Sequence, residues 1–162
     1  MISIQPETTM SELLAAIPGA RRALFRRYHI GGCSSCGFAE SETLAEVCAR
    51  NENLPTAEVI AYLQAAAEED EKVWLDPEKL AGFEGKMLDI RTAEEFEAAR
   101  IPGSLLVSQE TMQEALGVWD RTQPVVIVDH TGSRALDAAA YLSGHGFTSV
   151  RALRGGVDQY SE

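Results

Sequence analysis

A short polar loop at residues 129–134 has the composition of an anion-binding site. It follows an apolar segment, 125–128, and precedes a segment with helical spacing, 135–142. A glycine-containing loop between a buried strand and a helix directs several backbone N–H groups at one point, which favours a negative charge there. The loop opens with Asp129 and closes with Arg134.

Three interpretations of this loop remain open. In the first, the Asp129 carboxylate accepts the N–H donors and pairs with Arg134, so that the protein's own charge fills the site and the loop is inactive. In the second, Asp129 is a nucleophile toward phosphate esters, although no cluster of metal-binding carboxylates lies near it in the sequence. In the third, the loop binds an anion without catalysis. We assign no catalytic role to the remaining residues of the loop, and we expect the histidine to face solvent: His130, Thr131, Gly132 and Ser133.

Paired cysteines form the second candidate site. Cys33 and Cys36 lie in a glycine-rich loop, and two thiols at this spacing can chelate a soft metal, form a disulfide or hold a thiolate of low pKa. We expect a redox, sulfur-carrier or metal role for them, with an iron–sulfur cluster or a zinc ion as the candidate cofactor. His29 and Cys48 could complete a set of four ligands, but Cys48 lies on the apolar face of a predicted helix, where small cysteines pack as hydrophobic residues.

The elements that position these sites divide the chain into two parts. Residues 1–67 are predicted to form a small helical domain, which begins at a capping box over 9–12. The acidic residues 68–72 are predicted to be a linker. Residues 73–162 alternate short apolar segments with helical ones, and a second capping box lies at 92–95. Near-continuous apolar strands predict an α/β fold in which helices cover both faces of a parallel sheet. The strands are expected at 73–75, 87–90, 105–107, 125–128 and 150–153.

Composition restricts the partners of the protein. The formal net charge is −11 and the chain has no basic face that could neutralise phosphates, so nucleic acid is excluded as a partner. No apolar stretch is long enough to span a membrane, and the first residues do not resemble a secretory signal. We therefore expect a cytoplasmic protein with reduced thiols. The one basic cluster is interpreted as a solvated helix face, with a docking patch for an acidic partner as the alternative: Arg21, Arg22, Arg26 and Arg27.

Residues 73–162 resemble the rhodanese family in several separated motifs that occur in the family's order. The match includes an Asp-x-Arg strand end at 89–91, an Ile-Pro-Gly turn at 101–103, a Gly-Phe pair at 146–147 and a Leu-x-Gly-Gly pattern at 153–156. The 129–134 loop also has the family's length. The resemblance implies the parallel α/β fold, and it implies that Asp89 and Arg91 support the sheet edge rather than catalyse.

The departures from the family pattern lie where the chemistry would be. Asp129 stands in the place of the family's cysteine, and residues 99–100 are Ala-Arg where the family usually has Gly-His. Residues 5–66 are similar to a small helical domain found in or beside hybrid-cluster and iron–sulfur repair proteins. In that domain the corresponding loop commonly holds paired cysteines followed by glycine. The resemblance therefore implies that Cys33 and Cys36 are functional residues.

Two functions follow from these observations. The favoured one is a catalytically degenerate, non-enzymatic accessory or regulatory module in sulfur or iron–sulfur metabolism, whose partner is a protein of sulfur transfer or iron–sulfur assembly. The alternative is a thiosulfate sulfurtransferase-like enzyme in which Cys33 or Cys36 supplies the sulfur-carrying thiol to the 129–134 loop.

Overall fold

The computed structural model describes residues 3–31 and 37–160, and it divides the chain into two compact units, Met1–Lys72 and Val73–Glu162. Cys33 and Cys36 lie outside the described residues. In the described part of the chain, no helix has the length and apolar character that crossing a membrane requires.

The first unit is helical. Its helices are α1 (Met10–Ala16), α2 (Ala20–Tyr28), α3 (Leu44–Arg50) and α4 (Thr56–Glu71). Capping boxes begin α1 and α3, because the N-cap threonine of each accepts a backbone N–H from a glutamate three residues later. The first of these boxes agrees with the prediction from the sequence, and the second, at 43–46, is an additional finding. The helices bury a common apolar core, whose largest members include Met10, Leu13, Leu24, Leu44 and Leu63.

The predicted acidic linker is wrong for residues 68–71, which form the last turn of α4. Glutamate favours the helix, and its charge does not by itself indicate an irregular segment. Asp70 is buried on this turn, where its carboxylate accepts a hydrogen bond from Arg22 of α2 at 2.5 Å. This contact also means that Arg22, predicted as part of a solvated face, is fixed against α4.

The second unit is a five-stranded parallel sheet in the order β1-β5-β4-β2-β3. Its strands are β1 (Trp74–Leu75), β2 (Lys86–Asp89), β3 (Leu105–Leu106), β4 (Val125–Val128) and β5 (Val150–Leu153). Its helices are α5 (Ala93–Ala98), α6 (Gln109–Gly117), α7 (Ser133–Gly144) and α8 (Gly156–Gln159), and a 3₁₀-helix covers Pro77–Gly82. The predicted parallel α/β fold, preceded by a helical region, is confirmed.

The central strand β4 shows why the sheet needs cover on both faces. Val125 and Ile127 pack into the cluster formed with α6 and α7, whereas Val126 and Val128 pack into the cluster formed with the 3₁₀-helix and α8. All four residues are buried. Since the strands are parallel, their carboxyl ends meet at one edge of the sheet, which is where open α/β folds place their sites. The register sets Asp89 beside Val128 at that edge.

Candidate functional site

The carboxylate of Asp129 occupies the anion site at the end of β4. Its Oδ1 accepts the N–H of Gly132 at 2.5 Å, and its Oδ2 accepts the N–H groups of Arg134 at 3.0 Å and Ala135 at 3.3 Å. The residue is only 3% exposed. These donors belong to the loop and to the first turn of α7, where the helix leaves its N–H groups without partners of its own. The side chain of Asp129 therefore caps the N-terminus of α7.

Arg134 does not form the ion pair predicted for it. Its backbone N–H contacts Asp129, but its side chain is exposed and forms no ion pair with any residue that the structure describes. At the second position of a helix, the backbone N–H points toward the N-terminal end while the side chain leaves the helix sideways. Arg134 thus contacts Asp129 as predicted, but it donates its backbone N–H and not its guanidinium.

Two glycines allow the loop to close around the carboxylate. Gly132 has φ +102, and a Cβ atom there would lie 2.9 Å from the Trp74 ring. Gly156, the first residue of α8, has φ +60, and a Cβ atom there would lie 2.4 Å from the carbonyl oxygens of Asp129 and His130. Both positions require the left-handed backbone that glycine adopts without strain.

The short helix α8 covers the outer side of the loop. The N–H of Val157 donates to the carbonyl of Asp129 at 2.8 Å, and the N–H of Asp158 donates to the carbonyl of His130 at 3.0 Å. Two successive carbonyls of the loop are thus fixed by two successive N–H groups of α8. This contact holds the backbone on the side opposite to α7.

His130 does not simply face solvent, as the sequence analysis expected. Its Nε2 lies 2.6 Å from Oε1 of Glu95, and its Nδ1 lies 3.7 Å from Oδ1 of Asp158, although its side chain is 47% exposed. Glu95 also accepts the backbone N–H and the hydroxyl of Thr92 in the capping box of α5. These two contacts with Thr92, followed by the contact with His130, lower the pKa of Glu95 to about 2. The imidazole thereby links the loop to α5 and α8.

Asp89 and Arg91 form a buried ion pair at the same edge of the sheet. The Arg91 guanidinium donates to the Asp89 carboxylate from Nε at 3.0 Å and from Nη2 at 2.8 Å, and the Arg91 backbone N–H donates to it as well. Nη2 also donates to the carbonyl of Ala99 at 2.6 Å. The hydrogen bond to Asp89 raises the pKa of Arg91 above its ordinary value. The pair ties β2 to the segment after α5, as the structural role expected of it requires.

Gly31 and Gly37, the described residues on either side of segment 32–36, lie close together. A Cβ atom on Gly37 would lie 2.4 Å from the backbone nitrogen of Gly31, so the backbones on the two sides of the cysteine loop are in contact. The Gly37 carbonyl accepts a hydrogen bond from Arg50 of α3 at 2.9 Å. His29 ends α2 with φ 57, and its ring packs edge-to-face against Phe25.

Cys48 is a core residue. Only 1% of it is exposed, it packs with Leu44 and Val47 in the helical unit, and burial raises the pKa of its thiol. No cluster of three metal-binding side chains of the His, Cys, Asp or Glu type occurs within 3–31 and 37–160. The roles predicted for Cys33 and Cys36 remain predictions.

Comparison with known proteins gives a family for the second unit. The family model "Rhodanese-like domain" matches residues 75–162. Thiosulfate sulfurtransferase GlpE of Pseudomonas savastanoi pv. phaseolicola is 32% identical over 72 residues, which cover 44% of this chain and 68% of that protein. The Shewanella oneidensis protein of the same name is 31% identical over 77 residues, which cover 48% of this chain and 76% of that protein. The solved structure of reduced Bacillus anthracis CoADR-RHD matches with a TM-score of 0.51 at 20% identity, over 65% of this chain and 19% of that one, a likeness of fold alone.

Proposed function

The chain belongs to the rhodanese-like domain family, and from its filled anion site we propose that it is a catalytically degenerate member that acts as a non-enzymatic accessory protein in sulfur or iron–sulfur metabolism. One observation carries the proposal: the buried Asp129 carboxylate accepts three backbone N–H groups at the position where the family's sulfur-carrying thiol would lie. A carboxylate cannot form a persulfide, so the loop has no atom that could hold the transferred sulfur.

The filled site also opposes a substrate that carries its own charge. Thiosulfate is an anion, and inside a site of low dielectric it would meet the Asp129 carboxylate as a like charge. The N–H donors that would otherwise stabilise it are already engaged. Moving the carboxylate aside would leave these buried donors without partners, at a cost of about 1–3 kcal/mol for each one. The loop therefore favours its own side chain over an external anion.

We assign the sulfur chemistry of this accessory role to the helical unit. Cys33 and Cys36 are the two thiols of the chain that do not lie in the described core, and the contact between Gly31 and Gly37 brings the two flanks of their loop together. The partner would be a protein of sulfur transfer or iron–sulfur assembly, which exchanges a persulfide with this pair.

The pair alone does not satisfy a metal centre. Zinc in structural sites and iron–sulfur clusters both take four ligands as a rule, and two thiolates supply half of that set. Cys48 is a buried core residue on α3, and we assign it no ligand role. The residues of this chain thus fit a zinc ion or a cluster only in part, and no step of the proposed function depends on one.

A second function is favoured by the sulfurtransferase names of the curated relatives. In this alternative, the thiolate of Cys33 or Cys36 attacks the outer sulfur of thiosulfate, which forms a persulfide and releases sulfite. Cyanide then takes the sulfur and leaves as thiocyanate, which restores the thiolate. Both reactions need a thiol, and therefore substitution of the three cysteines separates the two functions.

The test is a thiosulfate–cyanide assay of the wild type and of four variants, Cys33→Ser, Cys36→Ser, Cys48→Ser and the double variant C33S/C36S, with persulfide mapping by mass spectrometry. We expect no thiocyanate above background in any of them, and persulfide on Cys33 or Cys36 only after incubation with a cysteine desulfurase. Turnover that disappears in the Cys33→Ser or Cys36→Ser variant would establish the alternative function. Turnover that survives loss of both would contradict both functions, because Cys48 would then be the remaining thiol.

A further inference from the structure

Helix α2 carries a positive charge that the rest of the chain does not share. It contains four arginines and no acidic residue within nine positions, whereas the whole chain has a net charge of −11. Arg22 is paired with Asp70, and the guanidinium of Arg21 lies 4.6 Å from the centroid of the Phe38 ring. The other two arginines and the aromatic groups around them form one surface. We name it the α2 surface, and its residues are Phe25, Arg26, Arg27, His29 and Tyr62.

The two remaining guanidiniums have no acidic partner among the residues that the structure describes. Arg27 lies over the Tyr62 ring at 4.7 Å and over the Tyr28 ring at 5.5 Å, so its position is fixed by aromatic contacts that leave its positive charge intact. Arg26 is exposed beside it. A chain with this surplus of carboxylates contains many groups that could neutralise both arginines, yet neither forms an ion pair within 3–31 and 37–160.

Each of the two guanidiniums lines a groove. Arg26 contributes to a groove of about 410 Å³ between α2 and α4, whose apolar lining is formed by Ala23, Tyr62, Ala65 and Ala66. Arg27 contributes to a groove of about 380 Å³ on the other side of α2, together with His29, Asn51 and Leu54. The two grooves thus flank one helix and present one arginine each.

An exposed aromatic residue, Phe25, lies on the same helix and contacts His29, which lines the groove of Arg27. Phe25 directly precedes the two arginines in the sequence and is 48% exposed. Its ring packs edge-to-face against His29 at a centroid distance of 6.0 Å. Arginine and aromatic side chains are the types most enriched at the centres of protein interfaces. The α2 surface therefore combines two cations, of which Arg27 is held by aromatic contacts, with an apolar groove and an exposed ring.

From this combination we propose that the α2 surface docks an acidic segment of a partner protein. Carboxylates of the segment pair with Arg26 and Arg27, and an apolar side chain beside them enters the groove between α2 and α4. The inference rests on the proposed function, since it supplies the docking site of the protein partner that the function requires. The partner is identified by its chemistry: a polypeptide with at least two carboxylates next to an apolar residue.

Acidic groups in the groove walls distinguish a polypeptide from a nucleic acid. Glu69 and Asp70 line the groove of Arg26, and Glu52 lines the groove of Arg27. A continuous phosphate backbone would pass close to these carboxylates and be repelled, because it carries a charge at every step. A polypeptide places its carboxylates singly and can avoid them.

The test is an NMR titration of the ¹⁵N-labelled full chain with a synthetic helical peptide of glutamates and leucines. The same peptide with lysines in place of the glutamates, and an oligothymidylate, serve as comparison probes. We expect shifts of the amides of Phe25, Arg26, Arg27 and His29 with the acidic peptide alone. The double variant R26Q/R27Q should weaken that binding about tenfold, because it removes both cations that pair with the carboxylates of the peptide. Arg151→Gln, which removes one charge from an exposed position of β5, should leave it within about twofold.

Several results would overturn the inference. Equal weakening by Arg151→Gln would mean that net charge alone governs binding, and equal binding of the oligothymidylate would identify a general polyanion site. The same amide shifts on raising the protein concentration without peptide would identify a second copy of the chain as the occupant. The titration is independent of the thiosulfate–cyanide assay: turnover would refute the accessory function and leave the docking result standing, whereas failure to bind the peptide would refute the docking site alone.

Discussion

The anion site can be examined directly by returning a thiol to it. We consider Asp129→Cys in a chain whose three native cysteines are serine, so that the new thiol is the single one present. The sulfur would lie where three N–H groups now converge on the carboxylate, from Gly132, Arg134 and Ala135. If these donors favour negative charge, they must favour the thiolate over the thiol.

The expected shift follows from the number of donors. A hydrogen bond to a charged group contributes about 1.5–3 kcal/mol, and the N-terminus of a helix adds about 0.3–1 kcal/mol. We take two of the three donors as reaching a single sulfur atom, and burial as cancelling part of their effect. About 3 kcal/mol then remains in favour of the thiolate, which corresponds to about two pKa units and moves the thiol from about 8.5 to about 6.5.

An ultraviolet titration of thiolate absorbance measures this pKa. The matched control is Ser143→Cys, an exposed position in the last turn of the same helix α7, where the helix end disfavours an anion and the pKa should be about 8.5 or higher. The Asp129→Cys variant should also form a persulfide with thiosulfate, while the control should not. A pKa of the new thiol near that of the control would refute the view that the loop is a functioning anion site filled by Asp129.

Three further predictions concern the surroundings of the loop and the helical core. The Glu95 carboxyl should titrate near pH 2 in a carbon-detected NMR experiment, and a midpoint near 4.5 would refute the capping-box contacts. Since folding lowers the pKa of Glu95 from 4.5, its contacts stabilise the folded protein above pH 4.5, and this stabilisation is lost as the pH falls toward 2. Gly156→Ala should lower the free energy of unfolding by at least about 1–3 kcal/mol in chemical denaturation, because of its φ of +60 and the carbonyls at 2.4 Å, whereas Gly144→Ala at the open end of α7 should lower it by less than about 0.5 kcal/mol or raise it. In maleimide labelling of the folded protein, Cys48 should react more slowly than the paired cysteines, since burial both shields its thiol and raises its pKa, and equal rates would place it outside the core.

The sheet was predictable because its strands carry their own signal. Val125–Val128 is a continuous apolar run, and such a run fits a strand that is buried on both faces. The short elements gave no such signal: the 3₁₀-helix Pro77–Gly82 and the four-residue α8 are too short for a helical period to be recognised. Yet α8 is the element that fixes the outer side of the loop, so part of the site's framework was invisible in the sequence.

The errors in predicted side-chain partners have one physical cause. A sequence gives the order of residues, whereas the partner of a side chain depends on its direction and on segments far away in the chain. His130 meets Glu95, 35 residues earlier, and Arg22 meets Asp70, 48 residues later. Arg134 is close to Asp129 in both sequence and space, but contributes its backbone because its side chain leaves α7 toward solvent. The charges could be listed from the sequence, but their pairing could not.

If Asp129 replaces the family's nucleophile, as we propose, the geometry of the loop explains how the family fold persists without that nucleophile. The loop buries N–H donors whose convergence requires an acceptor, and an apolar side chain there would leave them unsatisfied. A carboxylate satisfies this requirement and is ionised at neutral pH in its ordinary state, whereas a thiol must first lose its proton. Aspartate thus satisfies the N–H donors of the loop at least as well as cysteine would, and on the proposed function it does so without carrying sulfur. Retention of the loop geometry is therefore evidence of a folding requirement, and sulfur transfer by this unit has to be measured rather than inferred from its shape.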